Sequence, residues 1–285
     1  MDDRAVPVVL SLPHSGVIIP DDARRDYAVD VESVTRFGDL FVDQLYRGAV
    51  DQGVTVVRTP YSRFLVDLNR LADDLSPIAA AGASVKSDPG YHGARGVLWG
   101  ITPSGRAMYH RPLAKEVVQY RLERWYHPYH DALREHLQRL RDRFGYAILI
   151  DGHSMPSFSS GIRTLPRADI VPGDLLGESC AESLTDFVCD FWARQGKSVQ
   201  PNRPYRGGAI TRMHGDPAAG IHAFQIEINR ALYMNERTYR LNKSFSQTRE
   251  ECSAFLAELT RFRPDEGALS SALREGDHEL PRSRR

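Results

Sequence analysis

Apolar residues gather in short runs that end in polar, chemically loaded side chains: VVLSLPHSG (8–16), TVVRTPYSR (55–63), FLVDLNR (64–70), AILIDGHS (147–154) and HAFQIEINR (222–230). Runs of this length, bounded by Pro, Gly and polar residues, predict buried strands. Between them the spacing turns helical. In 114–145, Val118, Leu122, Tyr126, Tyr129, Leu133, Leu137 and Leu140 recur at helical spacing, so a long helix is expected, kinked or split at Pro128. A second helix is expected from Asp174 or Gly177 to Gln195, and a third from about Asn235 to Phe262. Alternating strands and helices predict a layered α/β fold with a largely parallel or mixed sheet, whose ligands sit outside the carboxyl ends of the strands.

Residues 71–113 carry many Gly, Ser, Ala and Pro and little periodicity, which predicts a long functional loop that covers a site or moves over it. Beyond Pro264 the chain is polar and charged, and its last part is expected to fray. We therefore expect one domain over residues 1–263 and a tail over 264–285, with no internal repeat.

Composition narrows the function classes. Lys+Arg (37) and Asp+Glu (37) balance, so there is no global positive field to hold a phosphate backbone, and nucleic acid is not an expected partner. The start, MDDRAVPVVLSLPHSG, lacks the basic residues and continuous apolar core of a signal peptide. No window reaches the roughly 18 uninterrupted apolar residues of a spanning helix, so no membrane role is expected. Three cysteines without a CxxC pair fit a reducing compartment and exclude a cysteine-built zinc site. The expected location is the cytoplasm.

Candidate chemistry sits at the ends of the apolar runs. His14, in SLPHSG, and His153, in LIDGHS, each fall on an expected strand-end turn, where imidazoles suit zinc. Two histidines need a carboxylate to complete a three-ligand catalytic site. Asp39 and Asp43, in RFGDLFVDQLY, are spaced i,i+4 and so are expected on one helical face; Asp39 is preferred, and the choice stays open. For each histidine alone, a hydrogen-bonding role at a loop end is the alternative, which two matching strand ends weaken. Glu227 interrupts the apolar run FQIEINR, so burial should raise its pKa toward the range of a general base; pairing with Arg230 or Arg212 is the alternative. Asn69 and Arg70 end FLVDLNR, where an amide beside a guanidinium suits a substrate carboxylate, although a cap and a surface arginine would read the same. Arg63 could hold an oxyanion. The loop 202–215 offers Arg206, Arg212 and His214 among glycines, suited to clamping an acidic ligand. No GxSxG, Walker A or strand-linked GxGxxG motif is present.

The blocks LPHSG, GDLFVDQLY, VDLNR, DGHSMPS, RGGAITRMHG and HAFQIEINRALYMNE, in that order over about residues 7 to 262, resemble the N-formylglutamate amidohydrolase family. That family is similar in turn to zinc carboxypeptidases and aspartoacylases. The resemblance implies a three-layer α/β/α fold with a central mixed, largely parallel sheet, zinc-carboxypeptidase-like (phosphorylase/hydrolase-like), and one catalytic zinc per chain, or another divalent metal in its place. His14, Asp39 and His153 carry over as zinc ligands. The relatives' HxxE pattern is absent, since Val17 stands three residues after His14, so the carboxylate comes from elsewhere. Asn69 and Arg70 carry over as substrate-carboxylate residues and Glu227 as the group that activates water; Arg63 and Arg212 carry over more weakly.

The expected reaction is zinc-assisted hydrolysis of N-formyl-L-glutamate to formate and L-glutamate, with histidine degradation as the implied setting. The catalytic residues would be Glu227 and Arg63, and Asn69, Arg70 and Arg212 would bind the acid end. The expected partner is a small acidic N-acyl amino acid. Deacylation of another N-formyl or N-acyl amino acid is the alternative, followed by a non-catalytic binding protein for acidic metabolites.

Overall fold

A computed structural model describes residues 4–84, 92–158 and 165–264. The polar tail, apart from its first residue, and part of the 71–113 segment lie outside these described residues. Five strands, β1 (Val8–Leu12), β2 (Thr55–Arg58), β3 (Ala147–Met155), β4 (Ile170–Gly173) and β5 (Ile221–Asn229), form one sheet in the order β2-β1-β3-β5-β4. All neighbours are parallel except β4, which runs antiparallel to β5 at the edge. The helices are α1 (Asp21–Arg24), α2 (Val31–Thr35), α3 (Val42–Leu45), α4 (Lys115–Arg121), α5 (His127–Phe144), α6 (Glu182–Arg194), α7 (Ala209–His214) and α8 (Phe245–Leu259).

Both faces of the sheet are covered, which is why its strands read as apolar runs rather than as an alternation. One apolar cluster joins Val9, Leu149 and Ala223 to Val118, Tyr129, Leu133, Leu137 and Leu140 of α4 and α5. The other joins Leu10, Ile150 and Phe224 to α3, α6 and α8 through Val42, Phe191 and Phe255. The architecture is thus a three-layer α/β/α sandwich with a mixed, mostly parallel sheet, as expected. Among the described residues no helix is long and apolar enough to cross a membrane.

Several elements depart from the sequence expectation. FLVDLNR forms buried turns rather than a strand: Leu65 N–H bonds to Ser62 O and Asp67 N–H to Val97 O, so its backbone is satisfied without a sheet partner. β4 was not expected. Helix α6 starts at Glu182 because Leu175 and Leu176 adopt positive φ (57° and 63°) and Asp174 accepts the Gly177 N–H. The last helix starts at Phe245. Upstream, Asn235 accepts the N–H groups of Arg237 and Thr238 and turns the chain into a small hairpin, β6 (Met234–Asn235) and β7 (Arg240–Leu241). The long helix is split by a π-turn, Leu122–Tyr126, just ahead of Pro128, which has no N–H to continue the regular ladder.

The described part of 71–113 has neither helix nor strand, yet it buries Ala79, Ala80, Val97, Leu98, Met108 and Leu113 in the first cluster. It is a packed wall beside the site.

Candidate active site

The site arises from a period of two. On the α5 side of the sheet, Val9 gives way to Ser11, Leu149 to Asp151 and His153, and Ala223 to Gln225 and Glu227. Three adjacent strands therefore turn from apolar to polar toward their carboxyl ends on one face. β1 leads to β2 on one side and β3 lies on its other side, so the β1/β3 boundary is the topological switch point where a crevice opens.

His14 lies two residues past β1. His153 lies within β3 rather than on a turn after it, because β3 outruns β1 and continues along β5, with His153 opposite Glu227. Each imidazole commits Nε2 to a carboxylate: His14 to Asp67 Oδ1 at 2.8 Å and His153 to Asp151 Oδ2 at 2.8 Å. Both Nδ1 atoms then face Asp39 Oδ2, at 3.5 Å from His14 and 2.9 Å from His153. All three residues are buried, and their donor atoms fall within 4.8 Å of one another.

The donor set suits a divalent metal. His14 Nδ1 is buried without a hydrogen-bond partner, and a cation would take the place of the proton shared between His153 Nδ1 and Asp39 Oδ2. Carboxylates behind both imidazoles are the arrangement that fixes ring orientation at metal centres. Burial opposes charge on His153, but Asp151 and Asp39 outweigh it and hold its pKa well above the ordinary value. Burial likewise opposes ionisation of Asp39, yet His14 and His153 pull its carboxyl well below the usual range. Asp39 Oδ1 is held by Ser154 Oγ (3.2 Å) and Arg230 Nη2 (3.2 Å), which leaves Oδ2 to the centre.

Asp39 and Asp43 do not share a helical face. Asp39 precedes α3 in a turn closed by Phe41 at φ 67°, and only Asp43 is helical. The Asp43 side chain is 31% exposed and 3.8 Å from Arg58, so Asp39 is the carboxylate that reaches the histidines.

Glu227 is buried, with Oε1 accepting from Gln225 Nε2 at 3.0 Å and Oε2 lacking any hydrogen-bond partner. Burial raises its pKa to about 7, against the pull of His153, Arg230 and Arg63. Arg230 is turned elsewhere, to Asp39, Ser154 Oγ and Gly38 O. Among the described residues nothing forms an ion pair with Glu227.

Arg63 donates through Nε (3.1 Å) and Nη2 (2.6 Å) to Asp67 Oδ2 and lies 5.1 Å over the Trp99 ring. Nη1 is not committed to Asp67. Asp39 and Glu227 are close enough to join Asp67 in holding this guanidinium charged despite burial. Asn69 is packed between elements: Nδ2 lies 3.1 Å from His153 Nε2, and Oδ1 accepts Ile210 N–H at 2.8 Å at the start of α7. Gly208 permits that approach, since a Cβ there would fall 2.3 Å from Asn69 Oδ1. Arg70 donates Nε to Arg95 O and Nη1 to Asn69 O. Arg212 is exposed on α7, and no contact among the described residues joins its side chain to the histidines.

Asp67, Asp151 and Trp99 do not stand out in the sequence as site residues, and Arg230, expected only as a partner for Glu227, holds Asp39 instead. Asp151 is readable in principle, lying two residues before His153 on a strand and hence on the same face. Asp67 stands inside FLVDLNR, but its link to His14 is purely tertiary.

The family profile of N-formylglutamate amidohydrolase matches residues 6–234. A Pseudomonas putida N-formylglutamate deformylase is 37% identical over 239 residues, covering 82% of this chain and 85% of the relative. One from Pseudomonas aeruginosa is 32% identical over 235 residues, covering 81% and 84%. The crystal structure of an N-formylglutamate amidohydrolase from Ralstonia eutropha superposes with a TM-score of 0.83 at 30% identity, covering 91% of this chain and 95% of that one.

Proposed function

The chain belongs to the N-formylglutamate amidohydrolase family, hydrolases of an amide bond, and from that premise we propose that it is a zinc enzyme cleaving N-formyl-L-glutamate to formate and L-glutamate. The observation that carries the reading is the convergence of His14 Nδ1, Asp39 Oδ2 and His153 Nδ1 beside a buried Glu227 whose Oε2 has no partner. When bound by these three residues, zinc supplies a Lewis acid that makes water acidic near neutral pH and polarises a carbonyl.

The chain's own groups do the rest. Glu227 takes a proton from the attacking water as its oxygen bonds to the formyl carbon, then delivers it to the amide nitrogen as the C–N bond breaks. Arg63, held rigid by Asp67 and Trp99, is assigned to the developing oxyanion. Arg70 is assigned to a substrate carboxylate, with Arg212 further out on α7; Asn69, whose Oδ1 is held by the Ile210 N–H, sets the floor between metal and acid end. Strands from both ends of the chain build the site, which supports reading residues 1–263 as one domain.

The test is the protein purified with zinc, its metal measured by elemental analysis, and formate release assayed from N-formyl-L-glutamate, N-formyl-L-aspartate and N-acetyl-L-glutamate with a chelator control. Chelator-sensitive formate release selective for N-formyl-L-glutamate is expected. Zinc without that release would overturn the substrate, and neither zinc nor turnover would favour a binding protein.

A further inference from the structure

The loop 67–70 carries Asp67, which aims His14, and Arg70, assigned above to the substrate. It is largely buried and belongs to no strand, so its carbonyls need partners from elsewhere. Leu68 O accepts from His130 Nε2–H at 3.0 Å, and Arg70 O accepts from Tyr126 O–H at 2.8 Å. Tyr126 and His130 stand one helical turn apart with ring centroids at 4.3 Å, so one helix face takes the carbonyls on either side of Asn69. The Asn69 carbonyl is taken by Arg70 Nη1 at 2.9 Å.

We propose that Tyr126 and His130 are positioning residues for the reaction: by holding Arg70 O and Leu68 O they set the loop that aims Asp67 at His14 and Arg70 at the substrate. Two further features support this. Tyr126 is the last residue of the π-turn, and an inserted residue rotates the rest of the helix by roughly 100° relative to a continuous α-helix. Tyr126, at the end of that wider turn, is the residue that donates to Arg70 O. With its Nε2–H given to Leu68, His130 has a bare Nδ1, which accepts from His214 Nε2–H at 3.0 Å. His214 ends α7, whose first turn holds Asn69 Oδ1, so α5 and α7 grip the loop from two sides.

The two ends of the loop should separate in experiment. Tyr126→Phe, His130→Leu and His130→Gln, which keeps an N–H for Leu68 O, would be compared with wild type. The readouts are the zinc dissociation constant from chelator competition, kcat and KM for N-formyl-L-glutamate, and the urea midpoint. Tyr126→Phe is expected to raise KM about tenfold, the worth of one hydrogen bond, with zinc binding unchanged. His130→Leu is expected to weaken zinc about 10-fold or more through Asp67 and His14, and His130→Gln to restore most of it. Wild-type KM and zinc affinity in Tyr126→Phe and His130→Leu, with only the urea midpoint lowered, would overturn the proposal. The KM arm rests on the proposed substrate, whereas the zinc arm does not. Zinc bound without formate release by wild type would therefore sink the substrate reading alone, and His130→Leu against His130→Gln would still decide the positioning role. Should His130→Leu fail to fold, Tyr126→Phe still decides it, because a Phe variant with unchanged KM and only a lowered urea midpoint would contradict it.

Discussion

Replacing Asp67 by Asn tests the centre with no change in shape. The buried carboxylate accepts from His14 Nε2 (2.8 Å) and Asn69 N (3.0 Å) on Oδ1, and from Arg63 Nε (3.1 Å), Arg63 Nη2 (2.6 Å) and Trp99 Nε1 (2.8 Å) on Oδ2. Every partner donates, so an amide can satisfy only one side. With its oxygen toward His14, the new NH2 meets the N–H groups of Arg63 and Trp99. Turned around, it meets His14 Nε2–H and forces the imidazole proton onto Nδ1, where a metal would bind. Removing one member of a buried ion pair costs about 3–5 kcal/mol, and the lower end applies because the Arg63 side chain is still 15% exposed. Losing the carboxylate behind a ligand histidine costs about 10–100-fold in metal affinity. Asp67→Asn should therefore unfold at clearly lower urea and bind zinc at least about tenfold more weakly in chelator competition. Wild-type values in both assays would refute the account of Asp67 as the carboxylate that orients His14.

Glu227→Gln should retain zinc by elemental analysis while kcat falls about 10²–10⁴-fold, the usual share of general acid–base catalysis; turnover near wild type would remove Glu227 from its role. Asp39→Asn should lose zinc and Asp43→Asn should keep it, and the reverse pattern would reassign the carboxylate ligand. Gly208→Ala should lower formate release, since its Cβ would collide with Asn69 beside His153, and overpacking of this kind costs about 1–3 kcal/mol. Burial depresses His130 to about 4 and His214 to about 3, so the unfolded chain takes up these protons first as pH falls. Their contribution is complete above the unfolded pKa near 6.5 and is lost as pH drops from there through about 4 for His130 and about 3 for His214. The slope is up to about 1.4 kcal/mol per pH unit for each histidine. Urea titrations of wild type against a His130→Gln/His214→Gln variant should show a shallower acid loss in the variant, and parallel curves would argue that the pair is not held neutral.

Much of the fold was legible because burial on both faces leaves a direct mark on composition. VVLSL, TVVR, AILIDGHS and HAFQIEIN all fall in strands of one sheet. The same mark misled at FLVDLNR, which is as apolar as a strand but satisfies its backbone through turns and side chains. Apolarity reports burial, not pairing. Helices begin later than their periodicity suggests where a polar side chain captures nearby backbone, as Asp174 and Asn235 do.

For the site, sequence alone determined which residue types were available and where they stand: His14 and His153 at the ends of apolar runs, Glu227 inside one, and the carboxylates of GDLFVD. Periodicity could place Asp151 with His153, because alternate residues of a strand share a face. Only the tertiary structure places Asp39 rather than Asp43 beside the histidines, because one left-handed residue, Phe41, keeps Asp39 out of the helix. Only the tertiary structure brought Asp67 to His14 and Tyr126 to Arg70. Parallel pairing of β1 with β3 and of β3 with β5 joins segments far apart in sequence, and such contacts leave no local periodicity to read.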